Sequence, residues 1–215
     1  MQEEREPHID KFAFVGPASV GKTTITEIYR SRFANNPYVA VLEEGAHQFF
    51  LANPRVGKGP IHVLEVQEQI QKFVLEKEQS AYKPGVRVII CDRSVVDPIV
   101  YAQFYLDNAQ SVERLFNNVR GWLPTYSVFF LLDPADVLLE AGQFRKEKPD
   151  ERLAIFEAFG EFLAKHSFPY KVISGSVQER VAKVDTILYQ HVANHKIFNK
   201  TNEEIVRDSD SIGGV

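Results

Sequence analysis

An α/β domain built on a parallel sheet is the fold class that the sequence predicts, and three observations predict it. Short apolar runs alternate along the chain with amphipathic stretches, the pattern of parallel strands joined by crossover helices. The glycine-rich segment GPASVGKT at 16–23 stands between the first apolar run and the first helical stretch. Two later apolar runs end in aspartate, at Asp92 and Asp133, and the carboxyl ends of such strands are where open parallel sheets bind ligands. The 215 residues, 44% apolar and 25% charged, suit one folded core. A net charge of −4 leaves no basic field for unspecific nucleic-acid binding. The lone Cys91 allows no internal disulfide and fits a reducing compartment. Residues 1–9 carry Glu3, Glu4 and Glu6 without an apolar core, so they do not read as a secretory signal. No apolar run is long enough to cross a bilayer. A cytoplasmic protein with neither membrane nor nucleic-acid partner is expected.

Taken in order, 12–15 (FAFV) reads as a buried strand closed by Gly16, and 23–33 as the helix after it. Residues 39–42 (VAVL) form a second strand. The stretch 61–81, rich in Glu, Gln and Lys with apolar residues at three-four spacing, reads as a long amphipathic helix, long enough to support a homodimer. A third strand at 86–91 precedes a helix at 95–105. The fourth strand, 126–132, is followed by a helix at 151–165, a short fifth strand at 170–173 and a closing helix at 177–195. Residues 53–60 (NPRVGKGP) hold two prolines and two glycines and read as a loop, with Phe49 and Phe50 packed beneath it. The domain is expected to span 11–197, preceded by an extension at 1–10 and followed by a polar tail at 198–215. Two tail segments, 199–202 (NKTN) and 210–213 (DSIG), match GTPase motifs by chance, because neither follows a buried strand and their order is reversed.

The segment Gly16-Pro17-Ala18-Ser19-Val20-Gly21-Lys22-Thr23 matches G-x-x-x-x-G-K-[ST] in full, which predicts a P-loop NTPase fold. Gly16 and Gly21 allow a tight turn that brings backbone against a polyphosphate. The amides of Ala18, Ser19, Val20, Gly21, Lys22, Thr23 and Thr24 can then converge on it, aided by the positive end of the following helix. Lys22 supplies a point charge for the terminal phosphates and Thr23 a hydroxyl for magnesium. ATP and Mg2+ are the expected ligands. Between the two strand-end aspartates, Asp92 is favoured for the metal side because Arg93 follows it at once. Asp133 precedes Pro134 and suits a capping role. His191 and His195 lie four apart on the last helix without a third ligand nearby, so a solvated helix end is the better reading. Trp122, Tyr126, Phe129, Phe130 and Cys91 are read as core.

Beyond the loop, EEGAH at 43–47, ICDRSVVDPIVY at 90–101, residues 143–152 and GSVQER at 175–180 resemble the AAA-type ATPase/kinase-like family. That family is similar to the nicotinamide riboside kinase domain of bacterial NAD-regulator proteins, and more distantly to thymidylate and deoxynucleoside kinases. The resemblance implies strand order 2-3-1-4-5 with helices on both faces, a preference for ATP, and a basic lid at 141–152 in which Arg145 and Arg152 close on the transferred phosphate. It implies backbone contact with adenine around Gly175 and Val177. It also matches Asp92-Arg93-Ser94-Val95-Val96-Asp97 to a D-R-x-x-x-D element, and Glu44-Gly45-Ala46-His47 to an E-x-A-R element in which His47 stands where arginine is usual.

A hydroxyl acceptor needs a carboxylate to orient it and take its proton, and Glu44 is the candidate, with Glu43 as its neighbour. Arg93 and Arg145 are expected to neutralise transferred charge. The expected activity is ATP- and Mg-dependent phosphoryl transfer to a small nucleoside- or nucleotide-like acceptor. A regulatory ATPase acting through a protein partner, or ATP binding without turnover, would use the same loop.

Overall fold

A computed structural model describes residues 8–106, 108–135 and 148–192. Five strands, β1 (Asp10–Val15), β2 (Val39–Leu42), β3 (Val88–Asp92), β4 (Val128–Leu132) and β5 (Tyr170–Ile173), form one sheet in the order β2-β3-β1-β4-β5. Every pairing is parallel, with Phe12 opposite Ile90 on one side and Val128 on the other. The strand order and the parallel sheet are those expected. Among the described residues the helices are α1 (Lys22–Arg32), α2 (Gly45–Ala52), α3 (Leu64–Ser80), α4 (Asp97–Leu106), α5 (Ala109–Val119), α6 (Pro149–Lys165) and α7 (Val177–Val192). None is long and apolar enough to cross a membrane.

Side-chain alternation along β1 divides the core. Ala13 and Val15 face a cluster with Phe49, Ile70, Val74, Ile99 and Phe159 from α2, α3, α4 and α6. Phe12 and Phe14 face a second cluster with Ile25, Tyr29, Val184 and Leu188 from α1 and α7. Helices on both faces explain why the central strands are apolar on both sides.

β1 begins two residues before the expected strand because Asp10 and Lys11 are buried in it. The Lys11 ammonium donates to Glu78 Oε2 at 2.7 Å and sits 3.6 Å from the Tyr126 ring centroid. The Ser127 hydroxyl donates to Asp10 Oδ1 at 2.9 Å. The long helix starts at Leu64 rather than Ile61, and α4 runs from Asp97 to Leu106. α6 begins two residues early, with Pro149 in its first turn and the Lys148 amide donating to Glu151.

Two helices lie where the sequence suggested none. α2 opens at Gly45, where a Cβ would stand 2.8 Å from Val74 Cγ2; its glycine and aromatics are weak helix formers, and packing on α3 holds it. α5 is started by Asn108, whose side chain accepts from the Ser111 amide. The 53–60 loop contains a 3-10 turn at Val56–Lys58, and Phe49 packs edge-on against Phe50 and Phe73. His191 lies 3.6 Å from Asp10, while His195 and the two tail motifs fall outside the described residues. Cys91 is buried in β3, and burial pushes its thiol pKa well up.

Candidate active site

The sequence folds into a phosphate cradle because three residues of 16–21 adopt left-handed backbone. Gly16 has φ +127°, Ser19 +58° and Gly21 +89°. A Cβ on Gly16 would stand 3.2 Å from the Leu132 carbonyl oxygen, so this turn needs glycine twice over. Gly21 ends the turn as the residue before α1, placing Lys22, Thr23 and the exposed Thr24 in the helix's first turn. Ala18 and Val20 are buried. Lys22 is 4% exposed, and its ammonium donates to the Gly16 and Pro17 carbonyls. Burial, reinforced by the Arg93 charge, lowers its pKa to about 8.

Asp92 ends β3 beside this cradle and is 3% exposed. Neither of its carboxylate oxygens has a hydrogen-bond partner among the described residues. The Thr23 hydroxyl is near enough to favour the charged form, without completing a hydrogen bond. Burial, followed by the Glu44 charge, nevertheless drives the Asp92 pKa up. A buried anion with no partner is costly, and a hydroxyl and a carboxylate side by side suit a hard divalent cation. Thr23 and Asp92 therefore fit magnesium. Asp133, the less favoured alternative, accepts from the Ala135 amide at 2.8 Å.

Arg93 has φ +70°, uncommon for a residue with a side chain. Three groups hold it there. Its amide donates to Phe14 O at 3.0 Å, Nε donates to Glu44 Oε1 at 2.6 Å, and Nη1 donates to Asp97 Oδ1 at 3.2 Å. The other Asp97 oxygen accepts from the Ser94 amide and hydroxyl, at 2.9 and 3.0 Å. Burial opposes the Arg93 charge, but Glu44, Tyr101, Asp97 and Asp92 outweigh it and hold the guanidinium protonated. Glu44 occupies the position before α2 without capping it; its carboxylate turns to Arg93 instead. Lys77 pins the β2–α2 turn by donating to the Glu43 carbonyl and Gln48 Oε1.

On the far side, Arg152 of α6 is 5% exposed and donates through Nη2 to Ser19 O at 3.2 Å, while its buried Nε finds no acceptor among the described residues. Arg145 and the rest of the expected lid up to residue 147 lie outside the described residues. Gly175 has φ +103°. Ser176 caps α7, exchanging hydrogen bonds with Glu179, and Val177 opens that helix.

Arg180, which the sequence offered only within GSVQER, is the residue that ties these loops together. It is 2% exposed, and its Nε, Nη1 and Nη2 donate to the carbonyls of Gly175, Val20 and Asp133 at 2.6, 2.8 and 2.8 Å. One guanidinium thus clamps the phosphate loop, the end of β4 and the loop after β5. Only the fold reveals it, since arginine on a polar helix reads as solvated.

A cavity of about 960 Å3 runs from Ala18 and Thr23 past Asp92, Arg93 and Glu44 to Phe50, His62, Tyr101 and Tyr105. It is bounded by α2, the 53–60 loop and α4, and His47 lies on its wall.

Residues 11–180 match the AAA domain family model, and the chain belongs to that family. No curated protein matches it by sequence. Its fold is similar to that of a NadR protein solved in complex with NR, with 16% identity and a TM-score of 0.66, over 84% of this chain and 51% of that one. The chain thus spans about half the length of that protein. It is also similar to thymidylate kinase from Ehrlichia chaffeensis, with 16% identity and a TM-score of 0.61, over 85% of this chain and 100% of that one. For deoxyadenosine kinase from M. mycoides with products dCMP and dCDP the values are 14% and 0.58, over 84% and 99%. The fold is that of the P-loop kinases.

Proposed function

We propose that this AAA-domain chain is a cytoplasmic small-molecule kinase that transfers the γ-phosphoryl group of ATP, with magnesium, to a hydroxyl of a nucleoside- or nucleotide-like acceptor. The observation that carries this reading is the cavity of about 960 Å3 that continues from the phosphate loop past Asp92. Transfer to water needs no second chamber, whereas an organic acceptor does.

The loop amides and Lys22 hold the β- and γ-phosphates, and Thr23 and Asp92 hold the cation. Bound magnesium supplies charge neutralisation to the phosphate oxygens. The acceptor oxygen attacks the γ-phosphorus, the bond from that phosphorus to the β,γ-bridging oxygen breaks, and ADP leaves. Glu44, fixed by Arg93, orients the acceptor hydroxyl and receives its proton. Arg93, Arg145 and Arg152 supply positive charge toward the transferred group, the last from the N-terminal turn of α6 beside Ser19. Gly175 and Val177 edge the adenine position, which Arg180 keeps at a fixed distance from the phosphate loop.

The test is ADP release from Mg-ATP with and without nucleosides, nucleoside monophosphates and nicotinamide riboside. Stimulation by one acceptor, with its phosphorylated product recovered, supports the kinase. Release that no acceptor alters points to a regulatory ATPase. ATP retained without ADP points to a binding protein.

A further inference from the structure

Resting on the kinase reading, we infer that the acceptor chamber is built for an uncharged or cationic alcohol and against a phosphomonoester, with Glu27 and Glu43 as specificity-determining residues. Among the described side chains six carboxylates line the cavity, Glu27, Glu43, Glu44, Asp92, Asp97 and Glu151, against two arginines, Arg30 and Arg93. A pocket that binds a second phosphate needs cations available to it. Neither arginine is. Arg93 is buried, gives Nε to Glu44 and Nη1 to Asp97, and spends its remaining charge on the transferred group, leaving none for a second phosphate. Arg30, at the mouth, is ion-paired through Nη1 to Glu43 and through Nη2 to Glu27.

The Arg30 pairs are half exposed, so each contributes little to stability. Their effect on selectivity is larger. A phosphate that captured Arg30 would leave two carboxylates beside its own charge, and the ATP phosphates already occupy the other end of the chamber. Like charges set together repel strongly when partly desolvated. The aromatic wall offers attraction of a different kind. Tyr105 stacks on His62 with centroids 3.8 Å apart, and Tyr101 lies beside both, 6.0 Å from His62 and 6.2 Å from Tyr105. Such a wall takes a planar or cationic ring, and carboxylates nearby favour the cation further.

The experiment is calorimetric titration of the full chain with matched pairs: adenosine and AMP, thymidine and TMP, nicotinamide riboside and its mononucleotide. At least one unphosphorylated member is expected to bind tenfold or more tightly than its monophosphate. A monophosphate that binds as tightly or more tightly, or a failure of every unphosphorylated member to bind, overturns the inference. The double variant Glu27→Gln/Glu43→Gln, confirmed folded by circular dichroism, releases Arg30 and should raise monophosphate affinity about tenfold. No gain removes the role given to these two glutamates. Binding separates this inference from the kinase reading. A riboside that binds without stimulating ADP release upholds the first and sinks the second, while a monophosphate that stimulates release does the reverse.

Discussion

Arg93 Nε and Glu44 Oε1 lie 2.6 Å apart, joining the turn after β3 to the residue that opens α2. The bond links the two strand ends that flank the cavity, and Asp97 holds the other side of the same guanidinium. A charge-assisted bond within a largely buried pair fixes the Glu44 carboxylate far better than solvent would, which is the property a general base requires.

Glu44→Gln keeps the shape and a hydrogen-bond acceptor for Arg93 but removes the base. The expected outcome is a fall in kcat of about 10^2- to 10^4-fold with KM for ATP little changed. Steady-state ADP release, followed at varied ATP, separates the two parameters. A rise in KM for ATP at unchanged kcat would remove Glu44 from the proton-transfer role.

Lys22 carries a pKa lowered to about 8 by burial and by Arg93. Polyphosphate beside the ammonium favours its charged form, so ATP binding should draw a proton onto Lys22. Near pH 8 the uptake should approach about half a proton, and near pH 6.5 it should almost vanish, because the free lysine is already charged there. Calorimetry of ATP binding in buffers of different ionisation enthalpy measures this. The Lys22→Ala variant should show no uptake and no turnover.

Asp92 pulls stability and function in opposite directions. Its burial without a hydrogen-bond partner among the described residues destabilises the metal-free chain, and Asp92→Asn should raise the melting temperature in EDTA by about 2–6 °C. Because the folded-state pKa lies above the unfolded value, this destabilisation grows as pH rises through that interval and is absent in the variant. The same substitution should abolish magnesium-dependent ADP release. A variant that melts lower in EDTA at pH 7 would show that Asp92 has a stabilising partner of its own.

The sheet was legible because its central strands, such as VIIC at 88–91, are apolar on both faces, and the cradle because its residue types are tied to the backbone they must adopt. What stayed hidden depends on distant partners. Lys11 looks like a residue outside a strand until Glu78, 67 positions away, reaches it. α2 has little propensity of its own and is held through Gly45 against Val74. Glu44 and Arg93 were each visible as strand-end residues, but their pairing spans 49 positions. Arg180 was quoted as part of a motif, yet its role arises from three backbone carbonyls that no sequence pattern displays.

Arg180 yields the prediction that separates architecture from chemistry. Arg180→Ala leaves the carbonyls of Gly175, Val20 and Asp133 without this donor, two of them only partly screened by water. An unsatisfied buried polar group costs about 1–3 kcal/mol, so a total loss of about 3 kcal/mol is expected. For a chain of this size that lowers the melting temperature by about 6–12 °C. The loosened loops should also raise KM for ATP, because Val20 belongs to the cradle and Gly175 to the loop after β5. Arg180→Lys, with a single nitrogen in place of the planar fork, should recover part of the stability and less of the affinity. Thermal unfolding by circular dichroism and ATP titration at a temperature well below both transitions measure the two effects separately. A stable Ala variant with wild-type ATP affinity would show that the three loops hold their geometry without the clamp.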